Sequence, residues 1–248
     1  MRLKISFYLS GEHPEVRPNK HAVQGFIYDM LKGTPYGERH DEPRFKFFTF
    51  SDFFRDREGR FNLLISSPDS EFIKTLSKKL HGHKRVYIGK NELRITEVKM
   101  FRLPLGEAFQ TGSPIVLYRN AERNEYFKLH EHRDLRFFLE RLKENAEKKY
   151  AAFYGEEVHL KGPIFDRVIP KLRRGGKLDV YVKIVKNGIP FPIIGSNWEL
   201  LEKTKIPREE RKFYRFIMDA GLGEKNSLGF GFLNPIKRRE VGKAMEGR

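Results

Sequence analysis

Apolar and polar residues alternate along the first hundred positions with the periods of strands and helices. Residues 2–10 alternate as a half-buried strand does, and the apolar positions of residues 18–32 fall on one face of a helix. The remaining predicted elements are strands at 45–53 and 61–66, a helix with Ser67 as its N-cap, and a last strand at 93–103. The order strand, helix, strand, strand, helix, strand predicts a split βαβ, or ferredoxin-like, domain.

The same order recurs in the second half of the chain. The predicted elements there are a strand that starts at 113–118, a long helix at 135–153, strands at 165–172 and 177–185 joined by a turn at 173–176, an extended stretch at 193–201, a helix from Pro207 to Gly221, and a closing strand at 230–235. We therefore predict an α+β fold of two tandem ferredoxin-like (RRM-like) βαββαβ domains, at residues 1–110 and 111–238, with a charged tail at 239–248.

Charge and composition narrow the class of partner. The 248 residues include 49 Lys and Arg against 33 Asp and Glu, a net charge of +16, which indicates a polyanionic partner, nucleic acid before an anionic membrane. The alternative is a basic surface that only keeps the protein soluble. No apolar run approaches the roughly 18 residues that cross a bilayer, and no signal peptide is recognisable, so we expect a cytoplasmic protein without a membrane partner. The absence of cysteine excludes disulfides, thiolate zinc sites and cysteine nucleophiles.

The most unusual local sequence is a glycine-rich segment that follows the last predicted helix. Its residues of interest are Gly221, Gly223, Lys225, Asn226, Ser227, Gly229 and Gly231. Glycines permit backbone conformations that turn several N–H groups toward a phosphate, and the Lys-Asn-Ser run adds side-chain donors. The segment is not a P-loop, because the Gly-Lys-Ser/Thr ending is missing and the segment leaves a helix instead of entering one. A helix C-cap with a tight turn would account for one or two of the four glycines only.

This segment, Gly-x-Gly-Glu-Lys-Asn-Ser-x-Gly-Phe-Gly, resembles the glycine-rich loop of the RAMP superfamily, the repeat-associated RNA-binding proteins of CRISPR systems. The tandem ferredoxin-like order and the chain length agree with the repeat-cleaving endoribonuclease branch of that superfamily. The resemblance implies CRISPR repeat RNA as the partner and a reaction without a cofactor. Hand-off of the product to a CRISPR effector complex and formation of a homodimer are both compatible with it.

The resemblance also implies a catalytic site of Tyr, His and Lys in the first domain. Tyr28 occupies the matching position in Val-Gln-Gly-Phe-Ile-Tyr-Asp, and His40 and Lys46 match in His-Asp-Glu-Pro-Arg-Phe-Lys-Phe-Phe-Thr-Phe-Ser. The loop before His40 varies in length within such families, so His21, on the same helical flank as Tyr28, is the substitute histidine. Each residue also has a simpler interpretation: a core aromatic, a solvated loop histidine, and a lysine that snorkels at a strand edge.

These residue types suit RNA cleavage without reference to any family. RNA carries its own nucleophile, the 2′-hydroxyl, so a protein need only move two protons and stabilise the charge on the phosphorane. A histidine near its ordinary pKa transfers protons, and a lysine faces the developing charge. The expected products are a 2′,3′-cyclic phosphate and a 5′-hydroxyl, and no metal ion is required.

Other features define competing interpretations. Residues 140–149 interleave acidic and basic side chains, which predicts a solvated helix face instead of a two-metal nuclease cluster. Lys171, Arg173 and Arg174 lie in the densest basic stretch and would form the tip of a hairpin that follows RNA, or simply an exposed charged turn.

A non-catalytic RNA-binding subunit of a CRISPR ribonucleoprotein complex is the alternative function. A small-molecule phosphodiesterase is disfavoured because paired His-x-Thr/Ser motifs are absent.

Overall fold

A computed structural model describes residues 1–9, 18–38, 44–186 and 188–237 of the chain. His40 and the predicted charged tail at 239–248 lie outside these described residues. Within the described ranges, no helix is long and apolar enough to cross a bilayer.

The first half folds into an antiparallel sheet covered by helices. Its elements are β1 (Arg2–Leu9), α1 (Lys20–Met30), α2 (Pro35–Glu38), β2 (Thr49–Phe50), β3 (Phe54–Arg55), β4 (Phe61–Ser66), α3 (Ser70–His81), β5 (Arg85–Ile88) and β6 (Asn91–Phe101). The strand order is β2-β4-β1-β6-β5, with β3 beside β4. Alternate residues of β1, namely Leu3, Ile5 and Phe7, are fully buried in one core with the apolar faces of α1 and α3.

The second half repeats this topology around a second core. Its elements are β7 (Ala108–Thr111), β8 (Tyr118–Asn120), β9 (Glu125–Tyr126), α4 (Leu129–His132), α5 (Leu135–Tyr154), β10 (Arg167–Pro170), β11 (Asp179–Lys186), β12 (Ile189–Ser196), β13 (Trp198–Glu202), α6 (Arg211–Ala220) and β14 (Leu233–Ile236). The sheet order β10-β13-β7-β14 places the first and third strands of the unit at its centre, as in the first half. The prediction of two tandem ferredoxin-like domains is therefore confirmed.

Several predicted elements differ from the structure, beginning with the first strand of the second sheet. The predicted strand at 113–118 is wrong, because β7 occupies that place in the sheet. β7 also includes position 110, where the first domain was predicted to end. Residues 115–117 are buried, yet Ile115 forms only an isolated bridge with Ser196. A continuous apolar run reports burial and does not specify which partner the backbone pairs with.

The predicted hairpin around residues 171–177 is also wrong. A turn does form there, with the Gly176 N–H donating to the Arg173 carbonyl at 3.0 Å. However, β10 and β11 on its two sides belong to different sheets, and β11 pairs with β12 instead. Lys171, Arg173 and Arg174 thus lie in an exposed loop that connects two sheets.

Helix and strand ends differ by smaller amounts. Of the strand predicted at 45–53 only β2 forms, because Phe47 adopts a left-handed backbone conformation with φ of 51°, and β3 lies just beyond the predicted bounds. Asp69, not Ser67, caps α3, and its carboxylate accepts hydrogen bonds from the N–H groups of Glu71 and Phe72. α6 begins at Arg211 and not at Pro207, and β5 was not predicted.

The two domains are joined by buried polar contacts as well as by apolar packing. Arg2, fully buried at the start of β1, donates hydrogen bonds to the carbonyls of Met218 and Leu233 and to Asn234 Oδ1 in the second domain. Burial lowers the pKa of its guanidinium to about 10, an effect that the nearby Asp219 carboxylate partly opposes. These contacts set the relative position of the two sheets and therefore of the site between them.

Candidate functional site between the two domains

The glycine-rich segment forms a tightly packed loop at the joint between the domains. The Leu222 N–H donates to the Gly231 carbonyl at 2.9 Å and closes the loop at its base. The N–H groups of Glu224 and Gly231 donate to the carbonyls of Val116 and Pro114, at 2.7 and 2.8 Å, and fasten the loop to the second domain. Several of its backbone donors are therefore used inside the protein.

All four glycines have a structural reason at this joint. Each has a positive φ between 67° and 84°. A Cβ at Gly229 would lie 2.1 Å from the Phe50 ring, and a Cβ at Gly231 would lie 1.8 Å from the Leu222 carbonyl oxygen. Close backbone packing thus explains the four glycines, more than the C-cap and turn considered from the sequence.

Two buried lysines hold the loop, one from each domain. Lys149 on α5 donates three hydrogen bonds, to the carbonyls of Gly221 and Gly223 at 2.7 and 3.0 Å and to Asn226 Oδ1 at 2.7 Å. Lys20 on α1 donates to the Gly229 carbonyl at 2.7 Å and pairs with Asp52. Burial lowers the pKa of Lys149 to about 7, against the attraction of the Glu224 carboxylate.

Neither lysine was predicted as a site residue. Lys149 ends the charged run 140–149 that predicted a solvated helix face, and for this position that prediction is wrong. Its place three residues after Ala146 and four before Phe153, in the apolar stripe of α5, is the sequence signal that would have found it.

One face of α1 is directed at the loop and at the cavity beside it. Lys20, Gln24 and Tyr28 are spaced by four residues and share this face. Gln24 Nε2 donates to Ser227 Oγ at 3.3 Å, which joins the helix to the centre of the glycine-rich loop. The same helix therefore supports the loop and carries the candidate tyrosine.

Tyr28 and Lys46 line the same cavity, which has a volume of about 240 Å³. The Tyr28 ring is buried in the first core and stands edge-on to Phe48, with ring centroids 5.8 Å apart. Tyr36 and Asp69 line the same cavity, and the Tyr36 hydroxyl donates to Asp69 Oδ2 at 2.8 Å. The interpretation of Tyr28 as a core aromatic thus agrees with the packing of its ring, and the residue also lines the cavity.

A second cavity, of about 150 Å³, lies between Lys46 and the glycine-rich loop. The side chains that line it include the basic residues Arg44, Lys46, Lys149 and Lys225 and one acidic residue, Glu224, together with Asn226 and Ser227. Lys46 lines both cavities and so connects the tyrosine to the loop. A polar cavity in which basic side chains outnumber acidic ones suits a phosphate group.

The polar side chains of the loop differ in what they contact. Both ends of the Asn226 amide form hydrogen bonds inside the protein. Its Nδ2 donates to the carbonyls of Leu222 and Phe230, and its Oδ1 accepts from Lys149. The Lys225 ammonium lies over the ring of Tyr118 at 5.3 Å and close to that of Tyr126. Burial and a hydrogen bond with Tyr118 raise the pKa of Tyr126 to about 12. The hydrogen bonds of Asn226 therefore support the loop from inside, whereas Lys225 contacts two tyrosine rings.

The remaining predicted site residues fall elsewhere. His40 lies outside the described residues, and its alternative, His21, is on α1 but does not line the cavity with Tyr28. Lys171, Arg173 and Arg174 are exposed in the loop between β10 and β11. Among the side chains that the structure describes, no group of three or more His, Asp or Glu is arranged to hold a metal ion.

The fold of the chain matches those of solved structures. A solved structure named as CRISPR associated protein Cas6 has a TM-score of 0.68 and 24% identity, covering 96% of this chain and 99% of that one. A structure named as a RAMP protein binding different RNA substrates also has a TM-score of 0.68, with 19% identity over 96% of this chain and all of that one. The chain thus shares its fold with both of these proteins.

Sequence comparison identifies the family of the chain. The family model described as CRISPR associated protein Cas6, C-terminal, matches residues 98–235. CRISPR-associated endoribonuclease Cas6 2 of Methanocaldococcus jannaschii is 51% identical over 243 residues, which cover 96% of this chain and 100% of that protein. CRISPR-associated endoribonuclease Cas6 1 of the same organism is 28% identical, over 93% of this chain and 92% of its own length. This chain belongs to the Cas6 family of CRISPR-associated endoribonucleases.

Proposed function

We propose that this protein cuts CRISPR precursor RNA within its repeats, by attack of a 2′-hydroxyl on the adjacent phosphate and without a metal ion in the reaction. The observation that carries the proposal is that Tyr28 and Lys46 line one cavity, and that Lys46 also lines the cavity beside the glycine-rich loop. An RNA phosphate held at the loop would then lie next to the groups that act on it. Membership of the Cas6 family supports RNA as the substrate.

The reaction needs two proton transfers and one site of charge stabilisation. The 2′-oxygen forms a bond to phosphorus and gives up its proton, the bond from phosphorus to the 5′-oxygen breaks, and the 5′-oxygen takes a proton. His40 is proposed for proton transfer, on the strength of its sequence motif. The Tyr28 hydroxyl would hold the attacking or the leaving oxygen, and the Lys46 ammonium would stabilise the phosphorane.

The RNA is proposed to reach this site along basic side chains of both domains. Lys225 and Ser227 lie at the glycine-rich loop, and Lys171, Arg173 and Arg174 add an exposed cationic loop in the second domain. The chain has a net charge of +16, and phosphate contacts release counterions. The affinity of the protein for RNA should therefore fall steeply as the salt concentration is raised.

The test is cleavage of 5′-labelled repeat RNA in EDTA under single-turnover conditions. We expect one discrete cut by the wild-type protein, and a loss of about 10²- to 10⁴-fold in rate for His40→Ala and for Lys46→Ala, since each removes a group that acts in the transition state. RNA with a 2′-deoxy nucleotide at the mapped cut should not be cleaved, because it lacks the nucleophile.

Two variants serve as matched controls. His83→Ala and Lys78→Ala remove the same side-chain types at exposed positions around the end of α3, and both should cut at the wild-type rate. Tight binding of several host-matched repeats without any cut would contradict the proposal and favour a non-catalytic RNA-binding subunit. Cleavage abolished by EDTA and restored by a divalent ion would contradict the metal-independent reaction.

A further inference from the structure

The segment from Phe47 to Phe50 is shared between the two domains. Phe48 and Phe50 are buried in the first core, where the Phe48 ring stacks on Phe72 with centroids 4.9 Å apart. Thr49 faces the other way, and its hydroxyl donates to the Phe230 carbonyl of the second domain at 2.8 Å. Phe47 also turns toward the second domain, so side chains alternate between two cores within four residues.

Phe47 is anchored in the second domain through its ring. Its contacts there belong to an aromatic cluster formed by Tyr150, Phe153, Tyr154 and Phe216. The Phe47 ring meets Phe153 at 5.0 Å and Phe216 at 6.4 Å, both in edge-on arrangements. Phe47 packs against the second core although β2, which begins two residues later, pairs with β4 in the first sheet.

The backbone at Phe47 is unusual in a way that this anchoring explains. Its φ of 51° lies in the left-handed region, which a bulky side chain rarely adopts. The Ser67 hydroxyl donates to the Phe47 carbonyl at 2.7 Å and holds the backbone in this conformation. Strained conformations of this kind persist where the surrounding structure imposes them, and they occur often at functional sites.

Lys46 immediately precedes this kink. The chain therefore leaves Lys46 facing the two cavities, while the next side chain, which also lines both of them, is fixed in the aromatic cluster. The side chain of a lysine is long and flexible and does not hold its own Cα in place. The position of the Lys46 Cα is therefore set by the backbone on either side. The nearest fixed point on the C-terminal side is the Phe47 ring.

We propose that Phe47 is a positioning residue: its ring, docked in the aromatic cluster of the second domain, sets where Lys46 stands in the cavity that it shares with Tyr28. The rate of cleavage then depends on the core of the domain that does not carry Tyr28 or Lys46. This inference rests on the proposed function and extends it to a coupling between the domains.

The partner side of the contact provides the cleanest test, because it leaves the sequence around Lys46 intact. Phe216→Ala removes a ring that meets Phe47 at 6.4 Å and does not line the cavity of Tyr28 and Lys46, so it should lower the rate only if the anchor matters. Phe153→Ala removes the ring that Phe47 meets at 5.0 Å and that also lines this cavity. Its cleavage rate at saturating protein should fall by about 10- to 100-fold, as a displaced catalytic group does, with the Kd for repeat RNA within about twofold of wild type. Phe153→Leu and Phe47→Leu keep apolar bulk at the contact, so each should cleave at a rate closer to wild type than Phe153→Ala does.

Tyr154→Ala is the matched control. Tyr154 belongs to the same aromatic cluster and contacts Phe153 and Phe216, but within the described chain it makes no ring contact with Phe47. It should cut at a rate within about twofold of wild type. A loss equal to that of Phe153→Ala would show general damage to the second core and would overturn the positioning role.

Hydrogen exchange of the peptide that spans residues 44–50 gives a readout that does not require activity. Exchange should be faster in Phe153→Ala than in wild type and unchanged in Tyr154→Ala. Equal exchange in wild type and Phe153→Ala would overturn the anchor, and faster exchange with an unchanged cleavage rate would overturn its effect on Lys46. A wild-type protein that cuts no repeat RNA would instead refute the proposed function, while the exchange result still decides the anchor.

Discussion

Two glycine-containing loops of the second domain that each carry Lys or Arg use their glycines for different reasons. In the glycine-rich loop, 221–231, added side chains would collide with backbone and ring atoms, at 1.8 Å for Gly231 and 2.1 Å for Gly229. In the exposed turn 173–176, Gly175 and Gly176 also have positive φ, yet a Cβ at either would meet no atom within 4 Å among the described residues. The first loop is part of the joint between domains, and the second is only a turn.

The comparison shows that the same composition serves packing in one place and chain reversal in the other. Both loops combine glycine with Lys or Arg, and sequence alone suggests RNA contact for both. In the glycine-rich loop, buried partners already take up much of the polar capacity: Lys149 holds the carbonyls of Gly221 and Gly223. The exposed turn keeps its basic side chains in solvent.

The largest expected effect is that of Gly231→Ala. The new methyl group would have to displace the Leu222 carbonyl, which is backbone and accepts a hydrogen bond from Asn226 Nδ2. Overpacking together with a strained φ should lower the free energy of unfolding by about 4 kcal/mol. Chemical denaturation measures this value. A loss below about 1 kcal/mol would show that the loop is not tightly packed and would remove the contrast with the exposed turn.

Lys149→Met should have an intermediate effect. The substitution keeps much of the apolar stem but leaves three acceptors without their donor. Unpaired buried acceptors are destabilising, while removal of a buried charge is stabilising, so we expect a net loss of about 2 kcal/mol. The same denaturation experiment reports it, with Lys148→Met on the exposed side of α5 as the control that should stay near wild type.

The stability of the wild-type protein should depend on pH through Lys149. Its pKa is about 7 in the folded chain against an ordinary value of 10.5, so folding releases a proton between these two pH values. Stability from this group therefore rises as pH increases above about 7, by at most about 1.4 kcal/mol per pH unit. The difference in unfolding free energy between wild type and Lys149→Met, followed from about pH 7 to about pH 10, isolates this contribution. A difference that is constant or falls with pH would contradict it.

The smallest effect is expected for Gly175→Ala. Only the left-handed backbone, with φ of 81°, opposes the new methyl group, since the surrounding space is open. The loss of stability should be about 1 kcal/mol, which corresponds to about 3 °C in Tm for a chain of this size. A thermal melt in which Gly175→Ala is as damaging as Gly231→Ala would show that backbone conformation, and not packing, governs both loops.

Much of the fold was predictable because its signals are local. The alternation in β1, the apolar face of α1 and the glycine that ends α6 each depend on residues within a few positions of one another. The strand β4 was predicted with its observed bounds for the same reason. The strand β2 was overestimated because the left-handed backbone of Phe47 depends on rings at positions 153 and 216, which no local pattern reports.

The candidate site shows the same division. Tyr28, Lys46 and the glycine-rich loop could be found in the sequence, because their motifs are short and resemble those of a known superfamily. That Tyr28 and Lys46 line one cavity, and that Asn226 supports the loop from inside, depends on packing between the domains.

The sequence by itself determined the periodicity of the helices and strands, the basic net charge and the glycine-rich motif. Only the tertiary structure decided which strands pair, which charges are buried and which side chains meet. Lys149 illustrates the physical reason: it lies in a charged run, yet its three acceptors come from a loop more than seventy positions away. Burial of a charge is decided by such distant partners, since an ammonium is stable in a protein interior only where its hydrogen bonds are completed.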